Sequence, residues 1–297
     1  MNNKDIIVYK ERFLLKLMIL VVLISVTGSA LGQTNNEVSF FLQGSFSKLD
    51  YKVLNQKSEL KNGFGFGAGY AFYLSENWSI GTGAELQYIE GSVYLPIIEG
   101  AYRTRDQEGE NFEFRYQAKD FYENQYAYFL NIPLKIQYET KGITRFYAGA
   151  GIKAGLSLKS EYKSRLSSLV TSGYYPQYDV ELKGPGFVGF GKFDEIDDSR
   201  SEFDINTSFI LNLESGVKLI LENKKSLYIG GFLDYGLNNI RSGASSEEKL
   251  IRYNSHDPIA FSASSLLNSR ENSNSGSFID EIRTFVFGLK LRYAFKL

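Results

Sequence analysis

The chain has 297 residues with no cysteine, sets 33 Lys and Arg against 34 Asp and Glu, and is 15% aromatic, with 21 Tyr, 23 Phe and 28 Gly. A net charge of −1 gives no general pull toward nucleic acid, so no nucleic-acid partner is expected. The absence of Cys excludes a disulfide framework, which leaves burial, or closure of a sheet on itself, to hold the fold.

The N-terminal stretch carries Lys4, Lys10, Arg12 and Lys16, then an apolar run from Leu17 to Val26, then small residues including Ala30 and Gly32. This is the three-part pattern of a secretory signal. The run is shorter than the ~20 residues that a membrane-crossing helix needs, so residues 1–32 are expected to be a cleaved signal peptide. Residues 33–297 show no linker and read as one domain.

Period-two alternation then recurs along the chain, at 37–48, 62–73, 78–88, 126–138, 145–159, 207–221, 227–239 and over Phe285 to Leu297. In the third segment Trp78, Ile80, Thr82, Ala84, Leu86 and Tyr88 share one face, while Ser79, Gly81, Gly83, Glu85 and Gln87 share the other. Connections alternate between short, as at 74–77, 139–144 and 222–226, and long, as at 89–125, 160–206 and 240–278. Short turns at one end and long loops at the other are the habit of outer-membrane barrels. The expected fold is therefore all-β, an eight-stranded antiparallel up-and-down transmembrane β-barrel with long extracellular loops and periplasmic termini.

An eight-stranded barrel has an interior only wide enough for side chains to fill. Rows of Phe, Tyr and Leu from every strand cannot fit there, so the Gly-rich face is expected inward and the bulky face toward lipid. Gly63, Gly65, Gly67 and Gly69, with Gly149, Gly151 and Gly155, would leave room for larger lumen residues opposite. Trp78, Tyr138, Phe146 and Phe295 fall at the turn end as an expected periplasmic-side girdle, with Tyr88, Tyr128 and Tyr235 toward the loop end.

Tyr128-Phe129-Leu130-Asn131-Ile132-Pro133-Leu134 resembles the Tyr-Leu-x-Ile-Pro-Leu strand of the PorT-like porin-family outer-membrane β-barrel proteins common in Bacteroidota, and Glu85-Leu86-Gln87-Tyr88 resembles their Glu-Leu-x-Tyr strand end. The resemblance implies a barrel with no catalytic residues, and a few such proteins belong to secretion machinery. Pro133 removes a ladder hydrogen bond, so a bulge is expected beside it.

By parity and depth, Glu85, Asn131, Lys153, Glu214, Asp234 and Lys290 form one inward layer, with Lys135, Lys218 and Arg292 below it. Neighbouring strands pair Lys153 with Glu214 and Asp234 with Lys290 in this reading. Buried charge persists when paired, so the set reads as a plug, the alternative being a narrow porin for small solutes. The only His, His256, sits beside Asp257 in a long loop without a nucleophile held against it, so no enzyme is expected. The letters Gly149-Ala150-Gly151-Ile152-Lys153-Ala154 match a dinucleotide fingerprint but fall on alternate strand positions, and no cofactor is expected. Asp194, Glu195, Asp197 and Asp198 lack calcium-loop spacing, and no metal site is expected. Tyr174, Tyr175, Tyr178, Phe187 and Phe190 are candidate contacts for an envelope protein or a glycan, or else a lid over the mouth. The remaining expected partners are outer-membrane lipid and lipopolysaccharide, around a monomeric barrel.

Overall fold

The computed structural model describes residues 36–53, 56–198, 200–242, 249–269 and 278–297, so the expected signal peptide lies outside the described residues. Alternation of bulky with small or polar side chains suits an extended backbone, because successive side chains then point to opposite faces. The long strands are β1 (Asn36–Asp50), β2 (Glu59–Tyr73), β3 (Trp78–Arg105), β4 (Asn111–Glu139), β5 (Thr144–Leu166), β6 (Ser208–Ile220), β7 (Lys225–Gly236) and β8 (Arg283–Lys296).

Each of these strands hydrogen-bonds the next, and β8 returns to β1 from Glu37↔Lys296 to Asp50↔Arg283, so the eight-membered ring closes. Closure removes the exposed edges that an open sheet of this length would offer to aggregation. The outer face is apolar: Leu289 is 73% exposed, Leu42 64% and Phe40 58%, with Phe64, Phe66, Leu134, Ile136, Ile152 and Phe209 in the same band. A band of large apolar side chains of this extent calls for an apolar surrounding.

Two of the expected long loops are largely strand. β3 and β4 continue beyond the barrel as a hairpin paired from Ile89↔Ala127 to Arg105↔Asn111. Within the expected 160–206 loop, β5 runs on to Leu166, and Ser168–Tyr175 pairs with the far half of β4. The correction has a clear cause. On these stretches the buried row becomes apolar, with Val93, Leu95 and Phe121, and it changes parity where Pro96 lies opposite Asp120, whose φ is 51°. Beyond that point Ile98, Tyr102, Phe112, Phe114 and Tyr116 are the buried residues, so no single parity spans the segment.

These residues form a hydrophobic core at the loop end of the barrel. Wall residues Ile89, Phe129, Phe232 and Val286 meet Leu250, Ile251, Leu266, Leu267, Ile279 and Ile282 of the connection between β7 and β8, the fourth and last at this end of the barrel, which fills the mouth. Deeper in the barrel the buried side chains are mostly polar.

The inner face also holds large rings, which corrects the expectation that aromatics face outward: Phe41, Tyr147 and Tyr228 are buried inside. Glycine makes the room, as expected. A Cβ on Gly67 would fall 2.6 Å from Phe41 Cζ, and one on Gly230 would collide with the Tyr147 hydroxyl. Gly67→Val is therefore expected to destabilise the barrel by about 1–3 kcal/mol, read as a lower urea midpoint for the purified protein. An unchanged midpoint would show that the lumen has slack there.

Pro133 causes no register shift. It stays paired with Lys153, and the β4–β5 shift falls between Tyr128 and Phe129, leaving Leu158 exposed. On its other side the ladder skips from Thr82↔Leu134 to Glu85↔Asn131, and the Thr82 hydroxyl donates to the Pro133 carbonyl at 2.9 Å. That bond gives the Pro133 carbonyl a donor, while the missing N–H is tolerated without a change of register.

Candidate functional site

The inward charges expected from parity do converge. Glu85, Lys153, Glu214, Asp234, Lys290 and Arg292 are all buried, each with 7% exposure or less. Lys153 on β5 donates to both Glu85 oxygens at 3.1 Å and to Asp234 Oδ2 at 2.8 Å. Lys290 on β8 donates to Glu214 at 2.8 Å, and Lys135 on β4 donates to the other Glu214 oxygen at 2.7 Å. Asn131 and Asn212 donate to Glu85 and Asp234, at 3.0 and 2.7 Å.

The pairing differs from the expected one. Lys153 meets Glu85 and Asp234 rather than Glu214, and Lys290 meets Glu214 rather than Asp234. The register explains the exchange: on β6 the residue opposite Lys153 is Ile210, while Glu214 lies opposite Gly149. On β7 and β8, Asp234 lies opposite Val286 and Lys290 opposite Gly230. Strand stagger thus separates the nearest-strand charges in height, and each cation reaches over a neighbouring strand to the second one along.

Below this layer lies a second cluster. Lys218 contacts Glu37 at 2.9 Å, Glu139 at 3.0 Å and the Tyr73 hydroxyl at 2.7 Å, while Tyr228 donates to both carboxylates. Arg292 donates to Gln137 at 2.8 Å, and its guanidinium lies 3.7 Å from the Tyr228 ring centroid. Glu37 and Glu139 lie at the ends of their strands, where strand periodicity is weakest. The signal that would have found Glu37, Glu139, Gln137 and Tyr228 is parity, shared with Gln43 on β1, Lys135 on β4 and Asp234 on β7. The void beside the upper layer measures about 30 Å³, room for a water or two and no continuous channel.

Above the charges, the fourth connection is held by Glu123 of β4, which is fully buried. Its carboxylate accepts from Gln125 Nε2 at 2.9 Å, Ser164 Oγ at 3.2 Å, Ser265 Oγ at 3.0 Å and the Leu266 N–H at 2.9 Å. No cation lies within ion-pair distance among the described residues, and burial raises its pKa despite the four donors.

The expected loop contacts divide. Tyr175 and Phe190 are buried and pack on Phe112, at ring separations of 5.3 and 5.4 Å, so these two belong to the core and are no free contact surface. Tyr174 lies under Arg115 and donates to Asp179, whereas Tyr178 and Phe187 are exposed, at 61% and 75%. Trp78, Tyr138, Phe146 and Phe295 all lie exposed at the turn end, Trp78 and Tyr138 with rings 5.1 Å apart. Of the acidic run, Glu195 pairs with Arg165 and Asp197 with Lys163, while Asp198 accepts from the Ala263 N–H. His256 is exposed, its Nδ1 3.4 Å from Ser255 Oγ.

No protein family and no curated protein matches the chain. Among solved structures, it is similar to Neisserial surface protein A at 10% identity, over 88% of this chain and 97% of that one, with a TM-score of 0.34. It is similar to the attachment invasion locus protein Ail of Yersinia pestis at 10% identity, over 88% and 99%, with a TM-score of 0.29. Against outer membrane protein AlkL the identity is 12%, over 89% and 92%, and the TM-score is 0.31. At these levels the likeness assigns this chain no role.

Proposed function

We propose that this protein is an outer-membrane barrel that conducts nothing and acts as an anchored interaction scaffold. The observation that carries the reading is a doubly sealed lumen beneath an apolar outer band. The lower seal is the salt-bridged layer around Lys153 and Lys218, and the upper one is the apolar stopper of Leu266, Leu267 and Ile282. The exposed band around Leu42, Phe64, Ile136 and Leu289 sits in lipid, with Trp78, Tyr138, Phe146 and Phe295 at the periplasmic interface. The extended hairpin of β3 and β4 then stands outside the cell, and the termini lie in the periplasm. The Tyr128 to Leu134 stretch supports kinship with the PorT-like barrels. No catalytic role is assigned: among the described residues the exposed His256 ring has a hydrogen-bond contact with the neighbouring Ser255.

In planar bilayers, purified protein is expected to give no steady conductance. Reproducible ohmic single-channel steps would replace the scaffold with a narrow porin.

A further inference from the structure

The hairpin beyond the barrel has two faces of different chemistry. Its inner face is the apolar core already described. Its outer face, continued by Ser168–Tyr175 and the short edge strand Gly191–Phe193, carries a groove of about 740 Å³. We infer that this groove binds an acidic oligosaccharide, an inference that rests on the extracellular placement of the hairpin proposed above.

The register brings the groove's residues together. One cross-strand row runs Glu99, Gln117, Val170 and Lys192, and the next runs Ala101, Arg115 and Ser172. Small Ala101 and Ser172 keep the floor low between longer walls. Those walls are already cross-linked: Gln117 donates to Glu99, Ser172 donates to Glu181 at 2.9 Å, and Arg115 donates to the same oxygen at 3.3 Å. The Arg115 guanidinium lies 4.6 Å from the Tyr174 ring centroid, which fixes its plane. Donors held in place before a ligand arrives lose little freedom on binding.

This chemistry fits a sugar better than a peptide or a lipid. A peptide added to a sheet takes its specificity from pockets for alternate side chains, and of the larger apolar residues that line the groove among the described residues, Val170 is 40% exposed and Tyr116 is buried. A lipid headgroup is too far away: Glu99 lies eleven residues beyond the outer aromatic Tyr88, roughly 35 Å along the strand at ~3.3 Å per residue. Hydroxyl-rich ligands need mixed amide, hydroxyl and carboxylate partners, which Gln117, Ser172, Glu99 and Glu181 supply. The acidic preference comes from Lys183 and Lys192 at the rim. Lys183 pairs with Glu181 at only 3.8 Å, and Lys192 makes no ion pair among the described residues.

The test uses full-length protein in nanodiscs, with short galacturonate and mannuronate oligomers against neutral dextran oligomers, read by calorimetry. Uronates are expected to bind more tightly than dextran, and Gln117→Ala with Lys192→Ala is expected to weaken them by about tenfold, the effect of one or two polar contacts. Lys141→Ala, at an exposed position in the short turn at the opposite end of the barrel, is expected to bind as the parent does. Heat-dependent gel mobility confirms that each variant keeps its barrel. No uronate binding, or equal binding by the double variant, overturns the inference. So does a peptide selection whose captured sequences depend on Gln117 and Lys192 when no sugar binds. Surface placement has its own readout. The chain has no Cys, so Lys192→Cys on intact cells is expected to take up a membrane-impermeant maleimide. Failure to label would sink the extracellular reading while leaving binding by purified protein to stand or fall alone.

Discussion

Lys153→Met is expected to cost the barrel about 3–5 kcal/mol, because it leaves Glu85 and Asp234 buried without their shared cation. Both carboxylates are 1% exposed, so water cannot replace the ammonium. What remains is Lys290, 3.7 Å from Glu85 and already bonded to Glu214, together with the neutral amides of Asn131, Asn212 and Gln87, none of which restores a cation to Asp234. The check is urea unfolding of the purified protein, together with the yield on refolding into detergent. Adding Glu85→Gln and Asp234→Asn removes the uncompensated charge and is expected to recover most of the loss. If Lys153→Met is as stable as the parent, or the triple variant no better than the single one, the lower seal is not an ionic lock.

The second large effect is expected at Glu123, where one carboxylate holds β4, β5 and the fourth connection together. Glu123→Ala strands the Leu266 N–H and the Ser164 and Ser265 hydroxyls in a dry core, which should cost about 1–3 kcal/mol and free the connection before the barrel itself opens. Amide hydrogen exchange over residues 249–269, corrected for intrinsic rates, reads this directly. The pH dependence has a definite sign. The groups facing Glu123 are the Gln125 amide, the hydroxyls of Ser164 and Ser265 and, through space, the phenols of Tyr51 and Tyr162. None is cationic. Burial raises the carboxyl above its ordinary 4.5, so the folded state holds the proton more tightly than the unfolded chain does. The stabilising contribution is complete below about pH 4.5 and is lost as pH rises through the raised value. Protection of 249–269 is therefore expected to fall from acid toward neutral pH, and Glu123→Gln is expected to flatten that slope. A slope that survives Glu123→Gln would assign the titration elsewhere, with half-buried Asp198 the next group to replace.

The two seals differ in what they ask of the protein. The charge layer holds the strands to one another across the lumen, its ion pairs joining residues on seven of the eight strands, so its loss acts on the barrel as a whole. The stopper packs a connection onto a finished wall, and its loss leaves the ring closed. That difference predicts the order of events above: opening at the mouth first, collapse of the barrel only when the ionic layer fails.

Several features were legible without coordinates. Strict alternation over Trp78 to Tyr88 and Phe285 to Leu297 specifies strands with one bulky face, since a period of two fits no helix. Narrow lumen width then decides which face looks in, and parity places Glu85, Lys153, Glu214, Asp234 and Lys290 together on the inward face. What parity cannot supply is height around the ring. Stagger between β5 and β6, and between β7 and β8, moved each cation away from its expected partner and onto a carboxylate two strands away.

The extension beyond the barrel was illegible for a different reason. Pro96 and the left-handed Asp120 switch the buried parity halfway along the hairpin, so 89–125 looks irregular when read as a string. Its order comes from non-local burial: Phe112 and Phe114 are covered by Phe190, Tyr253 and Phe261, which lie far along the chain. For the same reason Tyr175 and Phe190 looked like free contacts and are core. Local alternation is enough to specify the membrane-level strands, their general orientation and the upper layer of lumen charges, because these depend on neighbours two residues away. Only the tertiary structure decided who pairs with whom, what stops the mouth and which outer face is left open as a groove, because these depend on closing a staggered ring and folding distant segments over its rim.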